Sequence, residues 1–294
     1  MTIKGDNPLL GVRAIMEALV LDEYKWAKVP HQDTQAVLID MEDTVAQQRK
    51  LEGRSAVVAA LANPEYVAGQ FMISRPNALD TEWGHDDTVA LANAGAQYVI
   101  LPMVTCAADV KAYQEIFHAH DTDPMLLPAI ETPGGAGSAE EIVLIDGVGG
   151  LVFGEGDLTA RMGLEIFEPD GSINPIVTAA RARTYTAASS INGIMFDIAF
   201  LKDLKDLLAF EERCSALARM GATGFFALFP PHVPVINGIF RPTAEQLEYA
   251  KTVIAAFDAA AAEGKPAVQL PNGKALLIHD YHKAQRLIAR SART

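Results

Sequence analysis

From Gln35 onward the chain alternates short hydrophobic runs of β-like composition with stretches that read as helix, and this repeat restricts the fold more than any other feature. The runs are AVLID (36–40), QFMIS (70–74), QYVILP (97–102), MLLPAI (125–130), GGLVF (149–153), GIMFDI (193–198) and GFFAL (224–228). Each precedes a helix-like segment, such as the one after Lys50 and the one from His85 to Asn93. Repeated βα units need crossover connections, so the strands are expected to lie parallel in one sheet with helices outside it. An eighth strand is predicted in PLLGV, Pro8 to Val12, which would close an α/β (β/α)8 TIM barrel. The other candidate is an open doubly wound sheet, but no GxGxxG follows the first strand to open a helix. After Pro242 the pattern changes to a long Ala-rich helix, the segment QLPNGKALL and a final helix. The expected division is therefore a barrel domain over 1–240 and a C-terminal helical extension over 241–294, packed on its own barrel or on a neighbouring subunit.

With 294 residues, half of them hydrophobic, the chain can bury a core of this size. A net charge of −13 argues against a nucleic-acid groove, which needs clustered Lys and Arg, but leaves an anionic small molecule open because local arginines decide that. Cys106 and Cys214 stand far apart without His-rich company, suggesting neither a disulfide framework nor a zinc site. The opening residues lack a basic stretch followed by an apolar one, and no uncharged run approaches membrane-spanning length. A soluble, cytoplasmic protein without a membrane partner is expected.

Barrel enzymes collect reactive groups where strands end. Glu131 and Asp157 follow two consecutive runs, so two carboxylates would converge at one rim, a donor set suited to Mg²⁺ or Mn²⁺ with water and substrate oxygens completing the shell. The competing reading is that Glu131 caps a helix and Asp157 ends a turn. Asp40, Glu42 and Asp43 place three acids within four residues, which repel one another unless a cation or arginine is near. In Ser74–Asn77, Arg75 offers a two-pronged grip on a carboxylate and Asn77 an amide to orient a carbonyl or hydroxyl, although an ordinary surface loop reads the same way. Gly134, Gly135 and Gly156 would let backbone N–H groups approach a ligand. The seven histidines follow no metal spacing and most read as surface or loop residues; Met103, Met195 and the phenylalanines read as core filling.

Taken together, IDMEDTV, SRPNALDTEWG, YVILPMV, AIETPGG and VFGEGDLTARMG resemble, in order, the HpcH/HpaI aldolase and citrate lyase beta-subunit family. The resemblance implies a (β/α)8 fold and aldol or Claisen chemistry. It implies Glu131 and Asp157 as ligands of Mg²⁺ or Mn²⁺, Arg75 as the carboxylate anchor, Glu42 and Asp43 at the same mouth, and a trimeric or hexameric homo-oligomer. Several positions depart from the family pattern. Phe225 and Phe229 stand for the Lys and His of its GKxxIHP segment, Leu277 for an Asp in its C-terminal GKMID motif, and Met103 for a Lys after Leu-Pro; the RSxLFVP opening strand is not recognisable. These losses put CoA-ester chemistry in doubt and favour a smaller free acid, or an apolar substrate reaching Phe225 and Phe229. The expected function is a metal-dependent carbon–carbon lyase acting on an oxo or hydroxy acid or its CoA thioester. The alternatives are a non-catalytic, regulatory citrate-lyase-like subunit and, less favoured, an acyl-CoA thioester hydrolase.

Overall fold

The computed structural model describes residues 7–67, 69–262, 264, 268–270 and 273–291. The chain divides into two compact units, Met1–Ile239 and Phe240–Thr294.

The first unit is a closed barrel of eight parallel strands in sequence order: β1 (Ala14–Ala18), β2 (Ala36–Asp40), β3 (Phe71–Arg75), β4 (Tyr98–Leu101), β5 (Met125–Ile130), β6 (Gly150–Phe153), β7 (Ile194–Asp197) and β8 (Gly224–Ala227). Its helices are α1 (Glu23–Trp26), α2 (Lys50–Leu61), α3 (Gly84–Asn93), α4 (Ala107–Ala119), α5 (Pro133–Ile142), α6 (Glu155–Met162), α7 (Pro175–Ser190), α8 (Leu207–Met220) and α9 (His232–Phe240). Closure comes from β1, which pairs with β2 on one side and β8 on the other. The strands read as unbroken apolar runs because both faces are covered, one by the barrel interior and one by helices. Inward side chains of alternate positions, among them Ile15, Leu38, Ile73, Ile100, Ala129, Val152, Phe196 and Phe226, form one buried cluster.

All seven runs predicted from sequence are strands, but the eighth strand is not Pro8–Val12. Those residues form turns, with Leu10 N–H donating to the Asn7 carbonyl and Val12 N–H to that of Leu9. Pro8 and Gly11 favour this turning, and Leu9 and Val12 join the barrel-interior cluster. The strand is Ala14–Ala18, an apolar run interrupted by Glu17.

Gly150 shows how tightly the barrel closes: a Cβ there would stand 2.1 Å from the Ile194 carbonyl oxygen. Gly150→Ala is accordingly expected to destabilise the fold by about 3 kcal/mol, since the obstacle is backbone and cannot rotate away. Urea unfolding followed by fluorescence checks this, because Trp26 and Trp83 both lie in the barrel unit.

The second unit contains α10 (Ala244–Ala262), a two-stranded antiparallel pair of β9 (Val268–Gln269) and β10 (Ala275–Leu276), and α11 (Ile278–Ser291). It has its own small core of Ala250, Val253, Leu270, Leu276 and Ala284. Among the described residues, no helix is long and apolar enough to cross a membrane.

Candidate active site

Arg75 ends β3 beside the end of β2, where Asp40 is its register partner. Its Nε and Nη2 donate to the two oxygens of Asp40 at 2.7 and 2.8 Å, a buried bidentate pair. Nη1 meets Glu42 at 2.9 Å, and Nη2 also meets Asp43 at 3.0 Å and Glu17 at 3.5 Å. Asp40 is the organiser of this group. It accepts the backbone N–H groups of Glu42, Asp43 and Thr44, which turns the chain sharply after β2. Burial opposes its charge, but Arg75 and these donors outweigh burial and hold its carboxyl below the usual range. The buried Lys50 ammonium pins the same turn through the carbonyls of Met41 and Glu42.

Glu131 lies between the end of β5 and Thr132, the N-cap of α5, whose hydroxyl accepts the Gly135 N–H at 2.9 Å. One oxygen of Glu131 accepts the Met103 N–H at 2.8 Å, and Met103 holds a left-handed φ of 56°. The second oxygen lies beside Gly154, where a Cβ would come within 2.6 Å of it. Gly154 is thus the residue that leaves room for this carboxylate. Asp157 stands half-buried in the first turn of α6, close enough for its charge to bear on Glu131.

The ends of all eight strands surround a cavity of about 260 Å³. Glu17, Asp43, Arg75 and Glu131 form its polar wall, while Leu38, Ile100, Ala129, Val152 and Phe226 form an apolar floor. Ile198, Phe200 and Leu228 complete the lining. Six carboxylates, Glu17, Asp40, Glu42, Asp43, Glu131 and Asp157, lie in the field of Arg75, which cannot balance them alone. Burial pushes Glu42 up to about 8, against Arg75 and with help from Asp43, Glu131 and Asp40. Burial also raises Glu131 to about 7, opposed by the Met103 N–H and Arg75 and reinforced by Asp157 and Asp43. Asp157 is raised by burial and then by Asp43.

Such a site takes up protons or a cation. Among the described residues no three His, Cys, Asp or Glu side chains are grouped to hold a metal unaided. A pair of carboxylates with room beside it is nevertheless what Mg²⁺ uses when water and substrate supply the other oxygens, so the donor set fits a hard divalent cation.

Arg75, Asp43 and Glu131 thus share the cavity wall at the C-terminal face, while Glu42, held to Arg75, and Asp157, whose charge bears on Glu131 from α6, stand off the lining itself. Asn77 is not on the cavity wall: its amide donates to the Met41 carbonyl and the Asp87 carboxylate, tying the β2 turn to α3. Gly134 and Gly135 are also off the wall, and serve close packing. A Cβ on Gly135 would meet the Val104 carbonyl at 2.4 Å, and one on Gly134 the Thr105 carbonyl at 3.0 Å. Gly156 has the Phe200 ring as its nearest side-chain neighbour. Phe225 is fully buried away from the cavity and Phe229 packs edge-on against His232, so the groups facing the cavity here are Phe226 in β8 and Leu228 just past it. The two-residue period of a strand explains the exchange. Unlike the other histidines, His232 is buried, stacked on Phe210.

Two features escaped the sequence reading. Glu17 lines the cavity from β1, which was not recognised as a strand. The other is a buried network behind the wall: Arg181 of α7 joins Glu155 at 2.6 Å and Asp197 at 2.8 Å, and Arg213 of α8 reaches both oxygens of Glu155. Glu155 and Asp197 in turn accept the N–H groups of Phe200 and Ile198, which fixes the β7 side of the cavity. The available signal was an acid inside an apolar run, as in IMEAL and IMFDI.

Gly154→Ala tests the close approach at Glu131. The added methyl is expected to displace that carboxylate and destabilise the fold by about 1–3 kcal/mol, as overpacking does; urea unfolding measures it.

A model of the HpcH/HpaI aldolase/citrate lyase family matches residues 21–230. The chain is 30% identical to (3S)-malyl-CoA thioesterase of Cereibacter sphaeroides, over 81% of this chain and 80% of that one. It is 32% identical to citrate lyase subunit beta of Escherichia coli, with the same coverage. Among solved structures, the protein CitE of Mycobacterium tuberculosis in complex with magnesium, acetoacetate and coenzyme A superposes with a TM-score of 0.74 at 25% identity, over 96% of this chain and 98% of that one. With its barrel, its acidic strand ends and a matched span that runs from α1 to the end of β8, the chain belongs to the HpcH/HpaI aldolase/citrate lyase family.

Proposed function

We propose that this protein is a divalent-metal-dependent carbon–carbon lyase acting on a small oxo or hydroxy acid or its thioester, with Glu131 and Asp157 as the metal ligands. The observation that carries the reading is the surplus of half-buried and buried carboxylates at the β2, β5 and β6 ends, raised in pKa and grouped around one arginine. Relatives solved with magnesium and pyruvate, or with oxaloacetate and magnesium, support it. When bound, Mg²⁺ or Mn²⁺ supplies Lewis-acid stabilisation of negative charge developing on the substrate's oxygens.

Arg75 orders the acids first and meets the substrate second. All three of its guanidinium nitrogens already contact protein carboxylates, so a substrate carboxylate gains it by displacing Asp43, the most exposed partner. The apolar floor suits a short hydrocarbon portion and excludes water from the reacting carbon. A thioester hydrolase is the second reading, favoured by the 30% identity to the malyl-CoA thioesterase. Chain cleavage products separate the two: the lyase yields a carbonyl compound and an enolisable acid or thioester, the hydrolase free CoA and an unbroken acid. The 240–294 unit, whose Leu277 and Ile278 are exposed apolar residues, is proposed to complete a homo-oligomer. Light scattering giving a trimer or hexamer would bear this out, and a monomer would end it.

The acids also set a pH dependence. Glu131 and Glu42 bind protons more tightly in the folded than in the unfolded chain, so their stabilising effect is complete below about pH 4.5 and is lost as pH rises through about 7 to 8. Mg²⁺ competes with those protons. Its binding at pH 7 is expected to release protons, seen as a dependence of calorimetric heat on the buffer's ionisation enthalpy, and to raise Tm more at pH 8 than at pH 5.5.

A further inference from the structure

Glu17 is an acid at an inward position of a barrel strand, two residues after the core side chain Ile15 and opposite Leu38 in register. It lines the cavity, and its side chain keeps 23% of its accessibility. A carboxylate in such a place is expensive unless it is used. Its hold on the protein is looser than that of its neighbours. Asp40 is saturated by Arg75 and three backbone N–H groups, and Glu42 and Asp43 contact Arg75 at 2.9 and 3.0 Å. Glu131 receives the Met103 N–H. Glu17 has the longest of the Arg75 contacts, 3.5 Å.

We infer that Glu17 is the catalytic proton carrier of the cavity, taking the proton of the substrate hydroxyl and returning it to carbon. This rests on the lyase reading above. In the cleavage direction the Glu17 carboxylate accepts the hydroxyl proton; the O–H electron pair forms the new C=O bond as the C–C bond breaks. The C–C pair stays on the departing fragment as an enolate. The carboxylic acid then protonates that carbon, which restores the Glu17 carboxylate and leaves an aldehyde, ketone or oxo acid beside the protonated fragment. No oxidant, reductant or added water is needed. The charged groups facing Glu17 are Arg75 from β3, Asp40 from β2 and Asp43 from the turn after it. Burial raises Glu17 to about 7, against Arg75 and with Asp40 and Asp43, which lets one group both take and give a proton near neutrality.

The test is deuterium uptake from D₂O, followed by proton NMR, into the methyl groups of pyruvate and acetyl-CoA with the full chain and MgCl₂. Calorimetric binding of the same compounds runs in parallel. The wild type is expected to exchange at least one of them. Glu17→Gln should exchange roughly 100-fold more slowly or worse while binding it unchanged. Glu17→Asp should recover part of the rate, with the limb of the pH–rate profile near 7 present in Glu17→Asp and absent in Glu17→Gln. A Glu17→Gln protein that binds and exchanges as wild type does would overturn the assignment while sparing the lyase reading. Loss of binding together with exchange would also overturn it, making Glu17 a binding group. A wild-type protein that exchanges neither compound and cleaves no C–C bond would remove the lyase reading and this inference with it.

Discussion

Substituting Glu131 by Gln is expected to abolish divalent-ion binding measurable by calorimetry and to lower lyase turnover by roughly a thousandfold, about 4 kcal/mol in the barrier. The amide keeps the shape of the side chain and can still accept the Met103 N–H, so the loss isolates the charge. Stability should move the other way. The Glu131 carboxyl is raised to about 7 by burial, and at pH 8 the metal-free fold carries that ionised group at a cost. A neutral isostere removes this cost, so the metal-free variant should melt at or above the wild-type Tm at pH 8. An inactive protein that is no less stable cannot be explained as an unfolded one. Asp157→Asn should reproduce the loss of metal binding with a smaller change in Tm, since Asp157 is only half-buried. Retention of metal affinity in the Glu131→Gln protein would sink the assignment of this ligand.

Arg181→Met is expected to destabilise the barrel unit by about 3–5 kcal/mol, a large part of a typical domain's 5–15 kcal/mol or so. Arg181 is 2% exposed, and both its carboxylate partners, Glu155 and Asp197, are fully buried. Removing it leaves Asp197 to the Tyr185 hydroxyl and the Ile198 N–H, and Glu155 to Arg213 and the Phe200 N–H. Those donors soften the cost, but Asp197 is left buried without a cationic partner and Glu155 with one in place of two. The comparison is Arg183→Met, two positions along the same helix, where Arg183 and Glu140 are each about half exposed. Screening by water makes that pair worth little, so its loss should barely move stability. Urea midpoints read by Trp fluorescence separate the two, and equal small effects would show that the buried network is not what holds the β7 side.

The barrel was legible because parallel strands buried on both faces must be apolar throughout, and seven of the eight runs announce themselves in that way. β1 was not, and the reason is chemical: Glu17 interrupts AIMEA, while the neighbouring PLLGV looks more strand-like but carries Pro8 and Gly11. The site was legible where acids stand at or just beyond strand ends, as with Asp40, Glu131 and Asp157. Position after a strand did not reveal which groups are consumed by the fold. Asn77 binds Asp87 ten residues on, and the Gly135 N–H is taken by Thr132. Nor does local sequence join Arg181 to Glu155, 26 residues away, or Arg213 to the same carboxylate, 58 away. On β8 a one-residue difference in which face is inward replaced Phe225 by Phe226 as the group that meets the cavity.

The central claim is that oxo-acid binding in this barrel depends on a divalent ion held by Glu131 and Asp157. The most direct measurement is calorimetric titration of pyruvate and oxaloacetate into the wild-type protein, once with excess MgCl₂ and once with EDTA. Saturable binding of at least one acid with Mg²⁺, and none with EDTA, is the predicted result. Equal binding in both conditions, or none in either, would contradict it.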